Sequence, residues 1–392
     1  MSETTPTMRP VAQSERIHIL DILRGFAVFG ILAVNIGGFA SPAFFPGYIA
    51  PQWAWYDKLA ETLMLFLAEG KFYTIFSFLF GLGFSVQLAR AEAKGKDVRS
   101  FYPRRLWVLF GLGLLHTLLF WIGDILRLYA LLGFALLAFR NRTNRTLTIW
   151  AVVFLLIGFL ILGAVGGPRN DGGEIPGMDI IGMARQTYNS NSFLSVVIFQ
   201  VFAGIISFFA IAIIQGGTVM ALFLLGLLAG RTKFFEHLAE NQTTLKKIIL
   251  WGLLAGLGFN TLFVFASNPW LVSLGFTLGA PALAAVYISG LSLLSLKESG
   301  AKLLAPISKV GRMALSNYVM QSILCSLIFN GYGLGLYEKI GPAGLWGVTF
   351  AIYLCQIPLS SWWLSRFQFG PLEWLWRSLT YGQRQPFVLG KS

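Results

Sequence analysis

The sequence has little charge, few cysteines and few histidines. Only 12% of the 392 residues are Asp, Glu, Lys or Arg, whereas ordinary soluble domains contain about 25%. Cys325 and Cys355 both lie in apolar segments without Cys-x-x-Cys spacing, so neither a disulfide framework nor a cysteine metal site is indicated. The sequence contains no Walker loop, Gly-x-Ser-x-Gly or His-Glu-x-x-His motif, and the glycines of 81–84 and 111–113 follow no predicted strand. Soluble, metal-dependent and dinucleotide-binding classes are therefore unsupported.

Apolar residues are abundant instead. They make up 56% of the chain, and the mean hydropathy is +0.68. The formal net charge of +13 is typical of some nucleic-acid-binding proteins, but here the basic residues lie in short loops between apolar runs. We therefore predict an all-α polytopic membrane protein whose partners include membrane lipids and exclude nucleic acid.

Ten apolar segments are long enough to be candidate membrane spans, given that a spanning helix needs about 20 residues. They are residues 19–40, 71–91, 105–121, 124–139, 147–165, 194–230, 247–266, 270–296, 313–331 and 343–365. The sixth is too long for one straight span. It predicts either a bent helix or a short interfacial helix before a span at 213–230, with Gly216 and Gly217 as the break.

The distribution of Lys and Arg predicts the orientation. The chain has 30 Lys and Arg residues, and 23 of them lie in the loops and tails on one side of the predicted spans. The loops on the other side contain only Lys58, Lys71, Arg169, Arg185 and Lys339, and the last two, Arg24 and Arg127, lie inside apolar segments. This asymmetry places both termini in the cytoplasm. We expect a cytoplasmic tail at 1–18, one transmembrane helical domain at 19–366 and a cytoplasmic segment at 367–392. Outer loops are expected at about 41–70 and 166–192, the first ending in an interfacial helix, and a short surface helix is expected at 369–382.

The first span carries Asp21, Arg24 and Asn35, although each polar group is costly in hydrocarbon. Asp21 and Arg24 share a helix face, and Asn35 follows three turns later on nearly the same side. One interpretation is that Asp21 and Arg24 pair at the interface while the arginine extends toward the headgroups. The other is a polar track along one face of the helix.

Residues 113–130 carry His116, Asp124 and Arg127 around a predicted outer turn. Asp124 precedes a helix, so a helix cap explains it simply. Arg127 either pairs with Asp124 or faces a polar cavity. His116 lies well inside a span, where a histidine can serve packing or proton transfer, and its predicted depth is near that of Asn35 and Asp124.

The ninth span carries Asn317 and Gln321, and Arg312 directly precedes it. Asn317 and Gln321 are one turn apart and can form hydrogen bonds between helices, each worth about 0.6 kcal/mol. Arg312 at the inner mouth suits a lipid headgroup or an anionic ligand, as do Arg104 and Arg105.

Five stretches together resemble the bacterial YeiB-like membrane proteins. They are LDILRGFAVFGILAVNI, EGKFYTIFSFLFGLGF, LHTLLFWIGDILRLYAL, GRMALSNYVMQS and FGPLEWLWRSLTYG, in order between residues 16 and 385. The resemblance implies a location in the bacterial inner membrane. That family is distantly similar to the transmembrane acyltransferases, whose ten-helix core takes an acyl group from cytosolic acyl-CoA to an extracytoplasmic acceptor.

The sequence departs from those enzymes at two histidine positions. Acyltransferase family three has an arginine, ten residues and then a histidine in its first helix, whereas here Arg24 is followed at that spacing by Asn35. Heparan-alpha-glucosaminide N-acetyltransferase uses a histidine in the following outer loop, and residues 41–70 contain none. His116 is then the remaining candidate base.

We therefore expect acyl transfer from acyl-CoA, as a co-substrate and not a bound cofactor, to a sugar, lipid or small metabolite. Two sets of residues follow: His116, Asn35 and Asp124 for catalysis, and Asp21, Arg24, Arg104, Arg105, Arg127, Arg312, Asn317 and Gln321 for substrate or CoA binding. The alternative is a transporter that moves a small anion or lipid along the same track. A non-catalytic role in a membrane complex is a third possibility.

Overall fold

The computed structural model describes residues 17–45, 47–166 and 179–389, which are helical apart from turns and one isolated β-bridge between Phe367 and Val388. The helices are α1 His18–Ala40, α2 Trp55–Leu67, α3 Lys71–Ala93, α4 Tyr102–Leu119, α5 Leu126–Ala138, α6 Asn144–Ala164, α7 Ile180–Tyr188, α8 Phe193–Arg231, α9 Gln242–Phe265, α10 Pro269–Ser295, α11 Glu298–Arg312, α12 Ala314–Phe329, α13 Pro342–Leu364 and α14 Pro371–Tyr381. The predicted tail at 1–18 lies mostly outside the described residues.

The predicted class, an all-α polytopic membrane protein, is confirmed. Seven helical stretches of the described chain are long and apolar enough to cross a membrane: α1, Trp55–Ala93 (α2 and α3 counted together), α6, α8, α9, α10 and α13. Each of the ten predicted spans contains one helix, but α5 and α12 are shorter apolar helices, and α4 has two arginines in its first turn. These three helices carry several buried polar side chains: His116 on α4, Arg127 on α5 and Ser322 on α12.

The long apolar segment 194–230 forms one continuous helix, α8, of 39 residues. The interfacial helix suggested as a separate element before 213 is therefore absent from the described structure. Gly217 does not interrupt α8, because it serves close packing against α6: a Cβ there would lie 2.8 Å from the backbone oxygen of Phe154. At about 1.5 Å per residue, α8 is some 58 Å long, well beyond the thickness of the hydrocarbon core.

Short helices account for the remaining segments. A helix is present at each of the two expected places: α2 at the end of 41–70 and α14 within 369–382. The segment 166–192, predicted as an outer loop, contains α7. An ion pair of 2.9 Å joins Arg185 of α7 to Glu338, and residues 167–178 lie outside the described part. Helix α11 is not among the predicted helices, because its amphipathic sequence lies between two apolar spans and has no long apolar run of its own.

Most Lys and Arg side chains lie at one end of the helix bundle, which we call the basic end. Helices α1, α4 and α12 begin there, α3 and α11 end there, and α14 lies across it. Helix α11 packs closely on α1 because Gly311 meets the backbone at Asp21, where any Cβ would overlap the Asp21 oxygen. This packing places Arg312 beside the polar start of α1.

Candidate functional site

A cavity of about 320 Å³ lies at the basic end between α1, α3, α4, α5, α11, α12 and α14. Seven charged side chains line it: Asp21, Arg24, Arg90, Arg105, Arg312, Glu373 and Arg377. Five arginines against two carboxylates leave an excess of positive charge. Charge of one sign in a cleft with apolar walls favours an anionic ligand.

Neighbouring groups hold the mouth of this cavity in place. The Arg24 guanidinium donates from Nη1 to Asp21 Oδ1 at 2.9 Å, and about a third of the Arg24 side chain is exposed. The Arg105 guanidinium lies 3.7 Å from the centre of the Trp376 ring, and the Trp376 indole donates to the Arg105 backbone oxygen. The contacts of Arg105 with Trp376 join α14 to α4, and both Arg24 and Arg105 line the cavity.

Glu373 anchors α14 to the start of α12. Its carboxylate accepts from the backbone N–H groups of Leu315 at 2.7 Å and Ser316 at 3.1 Å, and from the Ser316 hydroxyl at 2.5 Å. Burial raises the pKa of the Glu373 carboxyl, and the hydrogen bonds from Ser316 and Leu315 oppose that rise. A carboxylate at a helix N-terminus also satisfies donors that have no partner within the helix.

Beyond the mouth the cavity is apolar. One face of α1 contributes Val28 and Ile31, and one face of α3 contributes Phe76 and Phe80. Phe76 lies 14 residues before Arg90 on α3, which corresponds to about 21 Å along the axis. The cavity therefore combines a cationic mouth with a deep apolar interior, and this suits an elongated ligand with an anionic head.

Behind the inner end of the cavity, three buried side chains form a hydrogen-bonded chain. His116 Nδ1 lies 2.8 Å from Asp124 Oδ2, and His116 Nε2 lies 2.8 Å from Ser322 Oγ. All three side chains are buried: the exposed fraction is 2% for His116, 0% for Asp124 and 1% for Ser322. Because an ionised carboxylate only accepts, it fixes the proton on Nδ1 and leaves Nε2 to accept from the serine hydroxyl. We call these residues the buried triad.

The local sequence explains how Asp124 reaches His116. Helix α4 ends at Leu119 and a tight turn leads into α5, so Asp124 returns alongside the last turns of α4. Asp124 Oδ1 also accepts from the Arg127 backbone N–H at 3.1 Å, which makes the predicted cap and the histidine partner the same carboxylate. Gly113 permits this approach, because a Cβ there would lie 2.7 Å from Asp124 Oδ1.

Tyr318 separates the buried triad from the cavity. It lines the cavity, and its ring centre lies 4.8 Å from that of His116. Tyr318 is 8% exposed, and its buried hydroxyl has no hydrogen-bond partner in the described part of the chain. A donor of this kind at the inner end of a cavity is available to a ligand.

The residues predicted for catalysis are only partly brought together. His116 and Asp124 are in direct contact, whereas Asn35 is half-buried on α1 and does not line the cavity. None of the three forms the cavity wall, so the expected cavity shared by all three and reachable from the outer side is not found in the described structure.

The residues predicted for binding separate into two groups. Asp21, Arg24, Arg105 and Arg312 line the cavity, whereas Arg104, Arg127, Asn317 and Gln321 do not. Arg104 is exposed, and Arg127 is buried with its Nε 3.8 Å from Asp124.

Asn317 and Gln321 join α12 to α13. The Asn317 amide donates to Ser360 at 3.0 Å, and the Gln321 amide donates to Gln356 at 2.8 Å. Their positions match the interpretation as hydrogen bonds between helices.

Sequence reasoning missed Ser322, Tyr318 and three charged residues of the mouth, Arg90, Glu373 and Arg377. Ser322 follows Gln321 directly, but it lies about 100° further round α12 and therefore faces α4 and not α13. The signal available was the four-residue spacing between Tyr318 and Ser322, which places both on the face of α12 that contacts His116.

The fold and the cavity define a polytopic helical membrane protein with a cationic, apolar-walled pocket at one end of its bundle. The chain belongs to the YeiB-like family. It is 35% identical over 400 residues to "Uncharacterized protein YxaH" of Bacillus subtilis (strain 168), covering 97% of this chain and 98% of the relative.

Two further relatives and one family model agree with this membership. "Uncharacterized 39.9 kDa protein in amylase 3'region" of Bacillus acidopullulyticus is 30% identical over 98% of this chain and 99% of its own length. "Uncharacterized protein YeiB" of Escherichia coli (strain K12) is 29% identical over 95% of this chain and 98% of its own length. The family model described as a protein of unknown function (DUF418) matches residues 229–383, which run from the end of α8 to the residues just after α14.

Proposed function

We propose that this protein is a membrane acyltransferase that takes an acyl group from acyl-CoA bound in the cavity and transfers it to an acceptor from the opposite side. The observation that carries the proposal is the order of groups along the pocket. Five arginines line its mouth, apolar side chains line its interior, and Tyr318 at its inner end contacts the His116–Asp124 pair.

This order matches the parts of an acyl-CoA molecule. Arginine guanidiniums bind phosphates with forked hydrogen bonds, so the phosphates belong at the mouth. The uncharged pantetheine arm and the acyl chain belong in the apolar interior. His116 would accept the proton of the attacking group, and Asp124 would stabilise the imidazolium that forms.

We assign the basic end to the cytoplasm of a bacterial inner membrane, with both termini on that side. The support is the distribution of 23 Lys and Arg residues at one set of segment ends against five at the other. In this orientation the cavity opens toward the cytosol, where acyl-CoA is made, and the outer turn before Asp124 faces the acceptor.

The test is release of CoA thiol from acyl-CoA by the purified protein in lipid nanodiscs, followed with a thiol reagent. Arg24→Ala should raise the KM for acyl-CoA at least tenfold, because the guanidinium at the mouth is lost, with little change in Tm. Arg104→Ala is the matched control, since Arg104 lies at the same end but outside the cavity wall. Equal KM values for the two variants would contradict the assignment of the mouth.

Transport of an anion or lipid is a second candidate, favoured by the sealed position of His116, which is 2% exposed. In this case the cavity would be one state of an alternating pathway and no bond would break. Uptake of acyl-CoA into proteoliposomes without release of CoA thiol would support transport over acyl transfer.

A further inference from the structure

We propose that Ser322 is the residue that first receives the acyl group, so that transfer proceeds through an acyl-serine on α12. This inference rests on the proposed acyl transfer and adds a covalent step to it. It is carried by the hydrogen-bonded order Ser322 Oγ, His116 Nε2, His116 Nδ1 and Asp124 Oδ2, with 2.8 Å at each of the two junctions. That order gives a hydroxyl, a base and an orienting carboxylate, which together activate a nucleophile.

The hydrogen bonding of Ser322 differs from that of Ser77 and Ser292, two other buried helical serines. Ser77 and Ser292 each donate to the backbone oxygen four residues earlier at 2.7 Å, as serines inside helices commonly do. The corresponding distance from Ser322 to Tyr318 O is 3.3 Å, longer than its 2.8 Å distance to His116. The Ser322 hydroxyl is therefore directed at the base.

The chemical step balances without any further reactant. Ser322 Oγ attacks the thioester carbonyl and its proton moves to His116 Nε2. The carbon–sulfur bond then breaks, and His116 returns that proton to the departing CoA sulfur. In the second half the acceptor hydroxyl or amine attacks the acyl-serine, its proton passes to His116, and His116 returns it to Ser322 Oγ.

Access to Ser322 is controlled by Tyr318. The two residues are one turn apart on α12, and Tyr318 is the cavity-lining side chain in ring contact with His116. A thioester in the cavity reaches Ser322 only when the Tyr318 ring turns aside. The Tyr318 hydroxyl, buried without a partner in the described structure, is then a donor near the developing oxyanion.

The first experiment treats the full-length protein in nanodiscs with a fluorophosphonate probe, which forms a phosphorus–oxygen bond to an activated serine and releases fluoride. Peptide mass spectrometry should find the label on Ser322. Labelling should disappear in Ser322→Ala and His116→Gln and persist in Ser326→Ala, a buried serine one turn further along α12. Tyr318→Ala should raise the labelling rate at least threefold by opening the path.

The outcome that overturns the proposal is equally direct. It fails if the well-folded Tyr318→Ala protein, with an unchanged elution profile and a cooperative melt, carries no label on Ser322. If Ser322→Ala does not fold, Ser322→Cys replaces it in a Cys325- and Cys355-free background. Its thiol should accept acyl groups from acyl-CoA as a thioester cleaved by hydroxylamine.

A second measurement separates this inference from the proposed function. If folded Ser322→Ala releases CoA at the wild-type rate, the acyl-serine is wrong while acyl transfer stands. If Ser322 is labelled by the probe but acyl-CoA is never consumed, the nucleophile stands and acyl-CoA is the wrong donor.

Discussion

At the scale of single residues, Gly113 sets the geometry of the buried triad. Replacement by alanine would place a Cβ 2.7 Å from Asp124 Oδ1 and 2.9 Å from the Arg127 nitrogen. Overpacking of this kind destabilises a fold by about 1–3 kcal/mol. To relieve the overlap, the Asp124 carboxylate that accepts from His116 would have to move. We expect Gly113→Ala to lower the Tm in detergent and to abolish labelling of Ser322.

Gly111 is the control for this substitution, because it lies on the same helix and a Cβ there would meet nothing within 4 Å. Gly111→Ala should keep or slightly raise the Tm, since alanine favours a helix over glycine by about 1 kcal/mol. Equal melting temperatures for the two variants would show that α4 and α5 separate easily at this point.

At the scale of helices, the mouth of the cavity depends on how α14 is fixed to α12. Glu373→Ala removes the acceptor for two backbone N–H groups and one hydroxyl. Loss of a cap costs about 0.5–2 kcal/mol, and the freed helix also carries Trp376 and Arg377 of the cavity wall. We expect faster hydrogen exchange in 371–381 and at Leu315 and Ser316.

The matched control is Glu298→Ala on α11. Glu298 forms an ion pair with Lys302, but its side chain is 85% exposed, so solvent screens the pair. Exchange in 371–381 should be unchanged in this variant. If exchange there rises equally in both variants, α14 is not held by Glu373.

At the scale of the whole molecule, the orientation has a direct test. In a protein lacking Cys325 and Cys355, Lys58→Cys on α2 should react with an impermeant maleimide added to intact spheroplasts. Lys94→Cys, just after α3, should react only after permeabilisation. Both positions are exposed in the structure, so a difference reports the side of the membrane. Outside labelling of Lys94→Cys would place the basic end outside and contradict a cytosolic donor.

The sequence was sufficient for the membrane class and for the approximate limits of the long helices, because apolar length and loop charge are local signals. The contact between His116 and Asp124 could be predicted only from the tight turn between α4 and α5, which brings Asp124 back beside α4. The sequence was not sufficient for Ser322, which lies 206 residues from His116 and meets it only through tertiary packing. Helix α11 was missed because its amphipathic pattern, unlike a span, has no long apolar run.

The separation of charge along the cavity has an electrical consequence. Every charged side chain of the cavity wall is at the basic end, and the interior is lined by uncharged groups such as Val28, Phe76 and Tyr129. A charge that crosses the whole membrane gains or loses about 2.3 kcal/mol per 100 mV of membrane potential. Phosphates that remain at the mouth would cross little of that field, and only a neutral acyl group would travel inward. Turnover in energised vesicles should therefore be insensitive to voltage, whereas export of the whole anion would generate a current.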